Sequence, residues 1–96
     1  MNDNPDKLKL EIKLLIMNTL SISDIDPSEV DDEKPLFGGD NKLTLDSVDA
    51  IEIIMAIQRN YGIRIADQSL AREVIRSVDS IARFITLNKT ETQANG

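Results

Sequence analysis

Three stretches of this chain repeat apolar residues every three to four positions, and only a helix turns such spacing into one buried face. Leu8, Ile12, Leu15, Ile16 and Leu20 form the first stripe, widened by Leu10, Leu14 and Met17. Ala50, Ile53, Ile54, Ile57 and Tyr61 form the second, and Val78, Ile81, Ala82 and Ile85 the third. Local chemistry marks the ends. Asn4 is suited to an N-cap, Pro5 to the first helical position and Asp6 to the positive end of the helix dipole. Gly62 is suited to stop the second helix, and Ser77 to cap the last. A shorter pattern near 67–75 predicts a small additional helix.

Residues 21–46 carry no such period. They hold two prolines, a Gly-Gly pair and many acids, which predicts a long loop. A loop of this length in a compact domain is usually functional or partly structured. Its apolar residues Ile22, Ile25, Val30, Leu36, Phe37, Leu43 and Leu45 are expected to pin it to the core. Short runs such as "GIRI" have no evident strand to pair with. The expectation is an all-α fold: a small four-helix bundle of three longer helices and one short one, with the long loop between helices 1 and 2. One domain covers 1–88, and residues 89–96 form a polar, disordered tail.

Composition narrows the function. With 96 residues the chain is one small domain, and its core must be aliphatic: 13 isoleucines and 10 leucines stand against Phe37, Tyr61 and Phe84. There is no cysteine, hence no disulfide and no thiolate, which fits a reducing cytoplasm. The net charge of −6 excludes nucleic acid as a natural partner, because phosphates demand Lys and Arg. Residues 1–50 contribute −7 of that and residues 51–96 contribute +1, so the acidic half suits basic partners. No apolar run reaches the roughly 20 residues of a membrane span, and the first ten residues are polar where a secretion signal is apolar. The chain is therefore read as cytoplasmic and monomeric.

The candidate site is "LTLDSVDAIEII", residues 43–54, where Ser47 stands between Asp46 and Val48-Asp49 at a predicted helix start. Asp46 or Ser47 would cap the helix, with Asp49 three residues on completing a capping box. The helix also has a second apolar stripe, Val48, Ile51 and Met55, roughly opposite the first and flanked by Asp49, Glu52 and Arg59. A surface helix needs one apolar face. The second is either a contact surface for another protein or is covered by Leu43 and Leu45. Ser47 is not a nucleophile of the chain's own, since there is no histidine to serve as its base. It is then either a plain capping residue or a hydroxyl that another enzyme modifies. A phosphate ester there would lie at the positive helix end, but Asp46 and Asp49 repel it and turn the arm outward. A calcium loop in "DIDPSEVDDE" fails on spacing, because Glu29 and Pro35 occupy the glycine and bidentate-glutamate positions.

"DSVDAIEIIMAIQRNYGIRI", preceded by "DIDPSEVDDEKPLFGG", resembles the acyl carrier proteins, whose hallmark is an Asp-Ser-Leu type motif opening the second of four helices. The likeness spans about residues 11–87. It implies that Ser47 carries 4′-phosphopantetheine, placed there from coenzyme A by a phosphopantetheinyl transferase, and that the cofactor thiol holds acyl groups as thioesters. The missing cysteine would thus be supplied by the cofactor. It implies that Asp46, Val48, Asp49, Ile51, Glu52 and Met55 recognise the transferase and acyl-handling enzymes of fatty acid, lipid or secondary-metabolite synthesis. By the same likeness Ile54, Ile57 and Ile75 are the candidates for lining an acyl pocket, although plain core is the simpler reading of all three. Where fatty-acid carriers continue helix 2 with glutamates, this chain has Gln58, Arg59 and Asn60, followed by Arg64, Arg72 and Arg76. Segments 38–44 and 66–76 also look longer than usual, which suggests a specialised member. The alternative is an unmodified helical module that docks through the same face of helix 2.

Overall fold

The computed structural model describes residues 5–37, 41 and 45–95, and among them it is helical: α1 Pro5–Thr19, α2 Ser47–Tyr61, α3 Gln68–Val74 and α4 Val78–Asn95. The expected all-α bundle of three longer helices and one short one is what forms. Helix α1 packs against both α2 and α4, while α3 packs on α4. The residues of the three sequence stripes meet in one cluster, with Ile12, Ile16, Ile53, Ile57, Val78, Ile81 and Ile85 at its fully buried centre.

Two residues of α1 depart from the expected face. Leu10 and Leu14 are exposed, whereas Met17 is buried. At about 100° per residue, Leu10 and Leu14 fall roughly opposite the centre of the Leu8–Ile12–Leu15–Ile16 stripe. Met17 also lies well off that centre, but it sits where the chain turns back. There the Ile22 N–H donates to the Met17 carbonyl at 2.8 Å and the Ser21 N–H to the Asn18 carbonyl at 3.3 Å. Ser21 takes the left-handed conformation, φ 58°. This is a Schellman ending, and Ile22 beyond it packs partly buried against the core cluster to which Met17 belongs. The expected cap Asn4, and Gly38, Gly39 and Leu43 of the loop, lie outside the described residues.

The loop holds one helical element that its composition hid, a 3-10 turn at Pro27–Glu29 capped by Asp26, whose carboxylate accepts from the Ser28 N–H and hydroxyl. Asp31 does similar work, accepting from the N–H groups of Glu33 and Lys34. These bonds hold the Asp26 and Asp31 carboxyls below the usual carboxylate range. Buried Asn41 clamps the same turn, its side chain accepting from the Asp31 N–H and donating to the carbonyls of Asp31 and Lys34. Longer ties fix the loop to the bundle. The Leu36 N–H donates to the Arg76 carbonyl at 2.9 Å, the Leu45 N–H to the Leu36 carbonyl at 3.1 Å, and the Asp79 N–H to the Asp32 carbonyl at 2.8 Å. Phe37 and Leu45 form an isolated parallel bridge. An ion pair adds to this, Lys13 meeting Asp32 at 2.7 Å, while Lys9 of α1 meets Asp79 of α4 at 3.2 Å.

The final helix runs to Asn95, beyond Leu87 where the apolar spacing ends and into the segment expected as a tail. Residues 88–95 lack apolar periodicity but also lack glycine and proline, so nothing in them stops a helix already started. Its start is a reciprocal cap: the Ser80 N–H donates to Ser77 Oγ and the Ser77 N–H to Ser80 Oγ.

Candidate functional site: the start of α2

Helix α2 begins at Ser47, and its capping is divided cleanly. Asp46 Oδ1 accepts from the N–H groups of Val48 and Asp49, each at 3.1 Å. Asp49 Oδ2 accepts in return from the Asp46 N–H, also at 3.1 Å. The capping box is therefore aspartate at both ends. Ser47, the first helical residue, is exposed and takes no part in it. Its hydroxyl is available to solvent at a backbone position fixed by its neighbours. Leu45, two residues upstream, is buried in the core cluster and pinned through Leu36, which anchors the approach to the serine.

The second stripe of α2 lies open. Val48 is 65% exposed, Ile51 61% and Met55 52%, values that belong to water-facing side chains. Leu45 turns away into the core and does not cover them, while Leu43 lies outside the described residues. Asp46 and Glu52 are exposed and Asp49 is half-exposed beside this strip. Among the described residues none of the three makes an ion pair, so their charge is open to an incoming cation. The opposite side of the helix is core. Ile57 is fully buried, Ile75 nearly so, and Ile54 packs partly buried against them.

Residues 14–85 match the family described as "Phosphopantetheine attachment site", about three quarters of the chain. The acyl carrier protein of Wolinella succinogenes is 30% identical over 79 residues, covering 82% of this chain and 93% of that protein. The chain belongs to the acyl carrier protein family. The acyl carrier protein of Brachyspira hyodysenteriae is 33% identical over 79 residues, 82% of this carrier and 92% of that one. Acyl carrier protein 2, mitochondrial, of Arabidopsis thaliana is 36% identical over 61 residues, 64% of this carrier and 44% of its own length.

Reading the sequence missed the work of Gln58. Its side-chain oxygen accepts from the Ile65 N–H at 2.9 Å and so closes the turn after α2, whose Gly62 adopts the left-handed C-cap, φ 62°. A glutamine seven residues before its partner leaves no periodic trace. Nearby, burial pushes the Tyr61 phenol above its usual pKa, and the negative charge of Glu11 on α1 pushes it the same way.

Proposed function

We propose that Ser47 is the attachment residue for the 4′-phosphopantetheine arm of this carrier. The observation that supports it is the cap: Asp46 satisfies Val48 and Asp49, so the exposed Ser47 hydroxyl has no structural duty at the helix start. A hydroxyl that is open to solvent, rigidly placed and without a histidine anywhere in the chain fits a group acted on in trans. In loading, the Ser47 oxygen attacks the pyrophosphate of coenzyme A. The serine O–P bond forms, the pyrophosphate P–O bond breaks, the nucleotide leaves, and a base of the transferase takes the hydroxyl proton. The protein is a carrier, not an enzyme; it holds acyl groups as thioesters on its phosphopantetheine.

The recognition face we infer is Asp46, Val48, Asp49, Ile51, Glu52 and Met55. An exposed apolar strip beside unpaired acids suits a partner with an apolar contact and basic residues around it. Such partners are a phosphopantetheinyl transferase and acyl-handling enzymes. Because Ile54, Ile57 and Ile75 belong to the packed core, a sheltered acyl chain would have to part them. Among the described residues no helix is long and apolar enough to cross a membrane. We place the protein in the cytoplasm as a monomer, a specialised carrier whose α2 carries Gln58, Arg59 and Asn60 in its last turn.

The test is intact-protein mass spectrometry after incubation with coenzyme A and a broad-specificity phosphopantetheinyl transferase. One phosphopantetheine added to the wild type, mapped to Ser47 and absent from Ser47→Ala, is the expected result. Loading of the alanine variant would overturn the assignment. Failure of the wild type with two unrelated transferases would favour a module that docks through the same strip unmodified.

A further inference from the structure

Leu36 joins two distant parts of the chain. Its N–H donates to the carbonyl of Arg76 at 2.9 Å, and its carbonyl accepts from the Leu45 N–H at 3.1 Å. Arg76, in the corner between α3 and α4, is thus one residue removed from the backbone that leads into Ser47, two positions past Leu45. The corner is anchored on both sides, since Ile75 and Ser77 are buried while Arg76 itself is exposed. Among the described residues Arg76 makes no ion pair.

Among the described residues, the charge flanking Ser47 is unfavourable to an anion. Asp46 and Asp49 flank it, and the first-turn N–H groups of Val48 and Asp49, which could have met an anion, are already bonded to Asp46. A phosphodiester formed on Ser47 would therefore face two carboxylates and no vacant amide donor in that pair. Arg76 is a cation tied through Leu36 to the backbone that leads into Ser47, and among the described residues it has no ion-pair partner.

Resting on the reading of Ser47 as the attachment residue, we propose that Arg76 is the counter-ion of the phosphodiester on Ser47. Held by Arg76, the phosphodiester would leave the exposed Val48, Ile51 and Met55 open to protein partners. A planar guanidinium suits this role because it can give two parallel N–H bonds to one phosphate. The purely structural alternative is that Arg76 only complements the negative end of α3, which would be indifferent to loading.

Wild type, Arg76→Gln and Arg76→Lys proteins are each converted to the loaded form and compared with their unloaded forms by phosphorus and nitrogen-15 NMR. Arg76 holds Leu36 through its backbone, so both substitutions leave that tie in place. In the wild type, loading is expected to shift the Arg76 amide and side-chain Nε–H signals together with those of residues 46–50. In Arg76→Gln the shifts are confined to the start of α2, and the phosphorus signal moves relative to wild type. That difference shrinks at high salt, where exposed charges are screened. The lysine variant restores part of it. At low salt, loading lowers the melting temperature more in Arg76→Gln than in wild type. Equal phosphorus shifts and equal melting changes in wild type and Arg76→Gln would overturn the proposal while leaving Ser47 standing. Failure of the wild type to load at Ser47 overturns both.

Discussion

Replacing Ser47 by alanine removes a hydroxyl that α2 does not use, so its cost to folding is expected to stay within about 0.5 kcal/mol, the range of ordinary surface changes. Asp46→Ala, one residue away, removes the acceptor of two helix N–H groups and should cost on the order of 1 kcal/mol. Urea unfolding of the two variants side by side checks this division, and equal losses would refute it. Gln58 offers a second contrast. Gln58→Ala strands the Ile65 N–H and is expected to cost about 1 kcal/mol, whereas Gln58→Glu keeps an acceptor and should lose less. The sequence made Ser47 visible because the residue types around it form a local pattern. It could not say which of Asp46 and Ser47 caps, since both are good N-caps, and it gave no sign of Gln58, whose partner is a backbone group rather than a side chain.

The three longer helices were legible because each repeats its apolar residues over several turns, and Gly62 and Ser77 mark ends by type. The ending of α1 was not, because Ser21 occupies a left-handed position that glycine usually takes. Ser21→Gly should therefore stabilise the protein, by on the order of 1 kcal/mol, as read by its denaturation midpoint. The long loop was legible only as a loop. Its fixings, Leu36 to Arg76 and Asp32 to Asp79, are backbone bonds between remote residues and carry no residue signature. Charge across elements sets the pH limits. The hydrogen bond and charge of Asp79 raise the Lys9 pKa, so that contribution is complete below the unfolded lysine value and is lost as pH climbs past the folded one, above about 10. Lys9→Met should flatten the alkaline limb of a stability–pH curve. Asp26 and Asp31 act with the opposite sign: their carboxyls are lowered, so their contribution is complete above the unfolded value of about 4 and fades as pH falls through the folded ones.

For the molecule as a whole, one aliphatic core carries the stability, with no disulfide to share it. A domain of this kind is held by about 5–15 kcal/mol. Ile57→Ala, at a fully buried position, is expected to remove roughly 2–5 kcal/mol of that and to lower the melting temperature sharply. Ile51→Ala, on the exposed strip of the same helix, should leave the melting temperature nearly unchanged, a difference that thermal denaturation will read directly. The division at the start of α2 has a consequence for how such a protein can change over time. Because two aspartates build the helix end and the serine only stands beside them, a lineage can lose the hydroxyl without losing the domain. A silent, fully folded relative that still presents the same surface to the same enzymes lies one substitution away, ready to serve as a competitor or a scaffold.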